Sequence, residues 1–190
     1  MDLRRFFFRQ RGYTPIPLIA AALALSKTSR LSWFTGVLLM LIGEGIRLWG
    51  TAYKGRSGRI TTDVSGDRLV TQGPFAHVRN PLYCGNFLLW SGVLVASWAW
   101  MPWMALVLLF FFFFQYNRIV DLEEEYLSKK FGSSYSAYRK AVARWIPRFS
   151  GYKGPEKYDP DWKQALRSER DTFLAILAVL ILVFLRWRLR

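Results

Sequence analysis

Glu44 and Arg47 stand three residues apart in the middle of LSWFTGVLLMLIGEGIRLWGTAY, the apolar run from Leu31 to Tyr53. That spacing puts both side chains on one helix face. A charge at bilayer depth is costly unless it is paired or lines a polar cavity. The pair therefore reads either as part of a polar site within a membrane or as a structural ion pair that fixes helix packing. A second constellation is GPFAHVRNPLYCG, Gly73 to Gly85. Pro81 biases Asn80 towards extended backbone and can occupy the first turn of a helix. A sharp helix start is expected, with free backbone donors at its tip and with Arg79 and Asn80 at its mouth. Gly85, on the first turns, lets a ligand or another backbone come close. A plain helix start with a snorkelling arginine has the same spacing. The third constellation is DLEEEYLSKKF. Val120, Glu124, Leu127 and Phe131 fall at i, i+4, i+7 and i+11, so Glu124 shares an apolar stripe and Glu123 sits one step round. Asp121 and Glu125 point elsewhere, and Glu125 can pair with Lys129 on a solvated face.

Other chemistries find no support. The only histidine is His77 and the only cysteine is Cys84, so an internal disulfide and the clustered zinc patterns are excluded and no metal site is expected. A Ser/His/acid triad would rest on His77 with no serine placed near it, which leaves a structural or substrate-contact histidine. Cys84 reads as a small packing residue. Gly55, Gly58, Gly66 and Gly73 do not form GxGxxG after a strand, and GxxxxGK[ST] does not occur, so neither a dinucleotide fold nor a P-loop is indicated.

The elements that must carry these residues are helices in a membrane. Of 190 residues, 52% are hydrophobic and 17% aromatic, and the apolar residues come in blocks rather than at amphipathic spacing. Mean hydropathy is only +0.11 because the charges gather between the blocks. A crossing helix needs roughly 20 mainly apolar residues. Candidates are Pro15 to Ser26, Leu31 to Tyr53, Pro81 to Trp100, Met101 to Tyr116 and Thr172 to Trp187. The third and fourth form a tight hairpin at SWAWMPW, where Trp98, Trp100 and Trp103 suit a membrane-water interface. The prediction is an all-α integral membrane bundle of about five transmembrane helices.

Basic residues set the sides. With a cytoplasmic N-terminus, Arg4, Arg5, Arg9 and Arg11 share a side with Lys54, Arg56, Arg59, Arg68 and Arg79 and with the segment Arg118 to Arg170. Lys27 and Arg30 fall outside, and a fifth crossing puts Arg186, Arg188 and Arg190 outside against the bias. No removed signal peptide is expected at MDLRRFFFRQRGYTPIP. The net charge of +14 fits anionic headgroups, and nucleic acid is not expected as a partner. Tyr135, Tyr138, Val142 and Trp145 keep helical spacing opposite Arg139, Lys140 and Arg144, as in an amphipathic segment on a membrane surface. KGRSGRITTDVSGDRLVTQGPF reads as a cytosolic loop, and SGYKGPEKYDPDW as a linker. Residues 1–190 form a single membrane domain: a core over 31–149, a linker over 150–170 and an extra C-terminal helix over 171–190.

On GPFAHVRNPLYCG, the apolar hairpin, Glu123-Glu124 with Leu127, Phe131-Gly132, Tyr135, Tyr138 and the closing Ile146-Pro147-Arg148, the chain resembles the isoprenylcysteine carboxyl methyltransferase and phospholipid methyltransferase family. The likeness runs from Leu31 to Phe149 and implies a cytosolic C-terminal cofactor-binding half. It implies S-adenosyl-L-methionine as methyl donor, S-adenosyl-L-homocysteine as product, and a lipid or prenylated acceptor arriving from the bilayer. On this likeness Asn80, Pro81, Leu82, Tyr83 and Gly85 pack on the cofactor, with His77 beside them, and Glu123 and Glu124 bind its amino group or ribose hydroxyls. Arg79, Arg144 and Glu123 are the expected catalytic residues, and Glu44, Arg47 and Arg148 the expected acceptor contacts. Many members carry Arg-His-Pro where this chain has Arg79-Asn80-Pro81, and asparagine can neither hold a positive charge nor act as a base near neutral pH.

Methyl transfer from a sulfonium needs alignment and dehydration rather than a protein nucleophile. The best match is carboxyl O-methylation of an isoprenylcysteine-type acceptor, with phospholipid N-methylation as the alternative. A carboxylate wants an arginine and an amine wants an acid nearby, and both flank the same mouth. Further alternatives are an NADPH-dependent sterol-type reductase and a non-catalytic lipid-binding membrane protein. The expected location is a bacterial inner membrane or the endoplasmic reticulum, with the site facing the cytoplasm.

Overall fold

Helix-forming blocks and the stops between them set the architecture. A computed structural model describes residues 3–55, 68–154 and 157–189. The loop positions Arg56, Gly58, Arg59 and Gly66, and the terminal Arg190, lie outside the described residues. Among the described residues the fold is all-α: α1 Leu3–Gln10, α2 Pro15–Ala24, α3 Arg30–Lys54, a 3-10 turn at Gly73–Ala76, α4 Pro81–Ser97, α5 Trp103–Ala141 and α6 Trp162–Arg188. Two of these, α3 and α5, are long and apolar enough to cross a membrane, and α2 and α4 are shorter apolar helices.

Local chemistry starts each element. Ser29 caps α3 in a capping box, its hydroxyl accepting from the Ser32 amide at 3.1 Å while Ser32 Oγ accepts from the Ser29 amide at 2.9 Å. Pro81 opens α4, as its fixed φ and missing N–H allow. The pair α3 and α4 packs antiparallel through glycines. A Cβ added to Gly43 would lie 2.8 Å from the Gly85 carbonyl oxygen, and one added to Gly92 would lie 2.7 Å from that of Gly36. In a bilayer, where apolar burial drives helices together only weakly, this close backbone approach supplies the packing.

The expected fourth span and the acidic stretch after it form one helix. Of the 39 residues of α5, the regular stretch before the kink at Gly132, residues 103–131, is about 44 Å long. Nothing between Tyr116 and Phe131 breaks a helix, and the first interruption is Gly132, at φ 50° and ψ −119°. Between α4 and α5 the core is aromatic, with Phe112 4.3 Å from Tyr116 and 5.0 Å from Phe87 between ring centres.

Two expectations are corrected, and a third finding adds an element that the sequence did not announce. First, Tyr135, Tyr138 and Val142 do not face a membrane surface: they are buried in a second cluster with Leu69, Leu127 and Tyr152. The chain after Ala141 turns back to cover them, pinned by Arg79 N–H to the Ala143 carbonyl (2.9 Å) and Tyr152 N–H to the Ala76 carbonyl (2.9 Å). Trp145 leaves that stripe and donates to Asn117 at 3.0 Å. Second, helix begins at Trp162, inside the stretch read as linker, because Asp161 caps it by accepting from the Gln164 amide at 2.9 Å. Third, the N-terminal residues form α1, which packs on α5 through the buried Phe8 and an Arg4 to Glu125 ion pair of 3.0 Å.

The last helix lies antiparallel along α3. The Asp161 amide donates to the Ala52 carbonyl at 3.0 Å near one end, and Trp187 stacks 6.5 Å from Trp33 at the other.

Candidate functional site

A cavity of about 680 Å³ runs between the helices from a charged mouth to an apolar end. The 3-10 turn and Pro81 aim Arg79, Asn80 and Tyr83 at the acidic face of α5. Tyr83 donates to Glu123 Oε1 at 2.7 Å, and Arg11 of the loop after α1 stands 3.9 Å from the same oxygen. Glu124 is buried and held by arginines: Arg79 at 2.9 Å, Arg144 at 2.8 Å and Arg139 at 3.8 Å. A buried carboxylate is tolerable only with such partners.

Each arginine is fixed in turn. Arg79 also donates to the carbonyls of Arg139 (2.8 Å) and Val142 (2.9 Å), and Arg144 to Asp121 at 2.8 Å. The buried Nε of Arg79 has no hydrogen-bond partner. Beside it, burial pushes the Tyr135 hydroxyl up to about 12, with the Glu124 charge acting in the same direction. Tyr138 is raised too, first by burial, and donates to the Phe75 carbonyl at 2.7 Å. Both phenols are neutral near pH 7.

The structure sorts the expected site residues. Arg79, Asn80, Pro81, Leu82 and Tyr83 line the cavity, as do Glu123, Glu124 and Arg47. Asn80 also donates to the Arg144 carbonyl at 3.2 Å. Others lie outside the lining. His77 bonds the Arg148 carbonyl through Nδ1 at 2.9 Å and sits beside Trp49. Gly85 is pressed against Gly43 and Arg47 in the α3 and α4 interface. Arg144 reaches the site through Glu124, and Arg148 is exposed, donating to the Ala141 carbonyl at 2.6 Å and to Ser150.

Arg47 forms the other polar centre. Its Nε lies 3.3 Å from Glu44 Oε2, and its terminal nitrogens donate to Asn86, Glu169 and Thr172. Glu169 is completed by Thr51, whose hydroxyl donates at 2.8 Å. Both carboxylates are almost wholly buried, and Glu44 Oε1 has no partner. Sequence reasoning paired Glu44 with Arg47 but missed Glu169. The signal was present: Ala165, Glu169, Thr172 and Ile176 keep helical spacing, so Glu169 lies on the inward stripe of α6.

Beyond Arg47 the walls turn apolar, with Leu18 and Ile19 from α2, Met40 from α3 and Val179 from α6. The arrangement can hold an amphipathic ligand next to a polar one.

Comparison with known proteins points to a methyltransferase family. A family model described as phospholipid methyltransferase matches residues 31–134. The chain is similar to the protein-S-isoprenylcysteine O-methyltransferase of Dictyostelium discoideum, 29% identical over 126 residues, which cover 60% of this chain and 49% of that protein. A protein of the same name from Schizosaccharomyces pombe is 40% identical over 81 residues, 42% of this chain and 33% of that one. The cobalt-zinc-cadmium resistance protein CzcN of Cupriavidus metallidurans is 32% identical over 121 residues, 63% of this chain and 49% of that one. The matches span half or less of these three relatives.

Proposed function

The chain belongs to the phospholipid methyltransferase family, and from that premise we propose that it is an integral membrane enzyme that transfers a methyl group from S-adenosylmethionine to a lipid-like acceptor. Carboxyl O-methylation of an isoprenylcysteine-type acceptor is the reading favoured. The observation that carries it is one cavity with a charged end at Arg79, Tyr83 and Glu123 and an apolar end at Met40 and Val179. Such a cavity brings a polar donor and an apolar acceptor into one water-poor space. The proposed unit is a single membrane domain, with α3 and α5 crossing, α2, α4 and α6 completing the bundle, and the charged mouth at the cytoplasmic face. Clustering of Arg79, Arg139 and Arg144 at that mouth supports the orientation.

The residues fit the donor. Glu123 offers a carboxylate to a cationic amino group, and the unpartnered Nε of Arg79 calls for an acceptor oxygen. Tyr83 and Leu82 offer flat and apolar surface. When bound, S-adenosylmethionine supplies an electrophilic methyl group on a sulfonium. The chain's own part is to bind, align and exclude water. Glu124 acts as a positioning residue: its carboxylate is occupied by Arg79 and Arg144 and so sets where those guanidiniums point. An ionised acceptor carboxylate needs no base, only a cation to orient it, and Arg47 lines the cavity where its charged end meets the apolar walls.

Phospholipid N-methylation is the second reading, favoured by the cavity-facing Glu123, which can take a proton from an ammonium acceptor. A radiolabelled methyl group followed into extracted product separates the two. Label released by base as volatile methanol marks an ester, and base-stable label in lipid marks an amine. Label in neither fraction defeats both readings.

A further inference from the structure

The family match ends at residue 134, yet a wall of the cavity is built by α6, which begins at Trp162. Its inward stripe changes character along its length. Ser168, Glu169 and Thr172 face the polar part of the cavity, and Ala175, Ile176 and Val179 face the apolar part. The facing wall on α3 changes at the same depth, from Thr51 and Arg47 to Met40, because the two helices run antiparallel in register. Glu169 locks that register. Buried at 3% exposure, it accepts from Arg47, Thr51 and Thr172.

Resting on the methyltransferase reading, we propose that α6 is the acceptor-selecting wall of the site, with Glu169 as its positioning residue and Ile176 and Val179 setting the length of chain admitted. The occupant is a single hydrocarbon chain of isoprenoid type whose polar head lies towards Arg47. From Glu169 to Val179 the helix rises about 15 Å, a length that one extended chain can span. A packing helix that merely covered α3 would bury apolar residues at the depth of Arg47. Instead α6 brings an acid and two hydroxyls there and leaves small or branched residues facing the space beyond.

The test uses the full chain in detergent micelles and a cysteine thioether carrying a farnesyl-length chain with a terminal diazirine. After photolysis the labelled peptides are mapped by mass spectrometry, and S-adenosylhomocysteine binding is measured on the same samples. Label is expected on α6 around Ile176 and Val179. Val179→Phe is expected to cut it roughly tenfold while a geranyl-length probe loses little, since a filled apolar pocket discriminates by about that factor per group. Ile176→Ala, which removes bulk, guards against misfolding of the first variant and is expected to improve labelling by a longer probe. S-adenosylhomocysteine affinity is expected to stay within about twofold in both variants, because additivity holds between separated sites. Label confined to α4 and α5, or equal losses for short and long probes, overturns the proposal. If the wild-type chain fails to bind S-adenosylhomocysteine while α6 is still labelled and still blocked by Val179→Phe, the donor assignment fails and the wall stands.

Discussion

Tyr83 hands its phenolic hydrogen to Glu123 Oε1 across 2.7 Å, and this bond joins the first turn of α4 to α5 at the cavity surface. Glu123 is thus oriented by a neutral donor while its other oxygen stays available. Glu123→Gln is expected to weaken S-adenosylhomocysteine binding roughly tenfold, the range for a lost bond to a charged group. Tyr83→Phe should weaken it less. Titration calorimetry on the purified variants checks both, and equal affinity for Glu123→Gln and wild type removes Glu123 from the site.

The neighbouring acids separate two environments one residue apart. Glu124 is buried and paired with the largely buried Arg79, the half-buried Arg144 and the exposed Arg139, so Glu124→Gln leaves Arg79 above all with too little negative charge and should destabilise the protein by about 3 kcal/mol. Glu125 is exposed and, among the described residues, pairs with Arg4 and Lys129 on the surface, and Glu125→Gln should leave the melting temperature unchanged. Thermal unfolding followed by tryptophan fluorescence distinguishes them. Equal shifts would mean that Glu124 is not the centre of the arginine cluster.

Glycine at 85 is a packing requirement. A Cβ there would meet the Gly43 carbonyl oxygen at 2.7 Å, and backbone cannot yield as a side chain can. Gly85→Ala should cost about 1–3 kcal/mol through overpacking. Gly45 has open space around it, so Gly45→Ala should be neutral or stabilise α3 by roughly 0.5–1 kcal/mol through helix propensity. Denaturation of the two variants side by side gives the comparison.

Removing Glu169 strips Arg47 of a buried partner. Glu169→Ala should cost about 3 kcal/mol and loosen α6 from α3. Limited proteolysis reads this directly, since the stretch between Ser150 and Trp162 should be cut faster in the variant. An unchanged cleavage pattern would show that α6 is held by its apolar contacts alone.

Much of this arrangement is legible in the sequence. The apolar blocks mark α2 to α5, and the period of Val120, Glu124 and Leu127 puts Glu124 on the inward stripe, where it is buried at 6% exposure. Asn80-Pro81 marks the start of α4. What stays hidden depends on contacts distant in the chain. The spacing of Ala165, Glu169 and Thr172 turns Glu169 inward, but nothing in WKQALRSERD names its partner, because Arg47 is more than a hundred residues away. Arg11 approaches Glu123 only once α1 lies along α5. The Tyr135 and Tyr138 stripe is amphipathic in period whichever apolar partner covers it. Only the return of residues 142–152 over that stripe decides that the partner is protein.

The central claim is that the mouth formed by Arg79, Tyr83 and Glu123 takes a sulfonium methyl donor. Titration calorimetry of the detergent-solubilised protein with S-adenosylhomocysteine, and separately with NADPH, tests it most directly. Saturable binding of S-adenosylhomocysteine, lost in Glu123→Gln, with no heat from NADPH, is the predicted result. Binding of NADPH instead, or of neither ligand, contradicts the account.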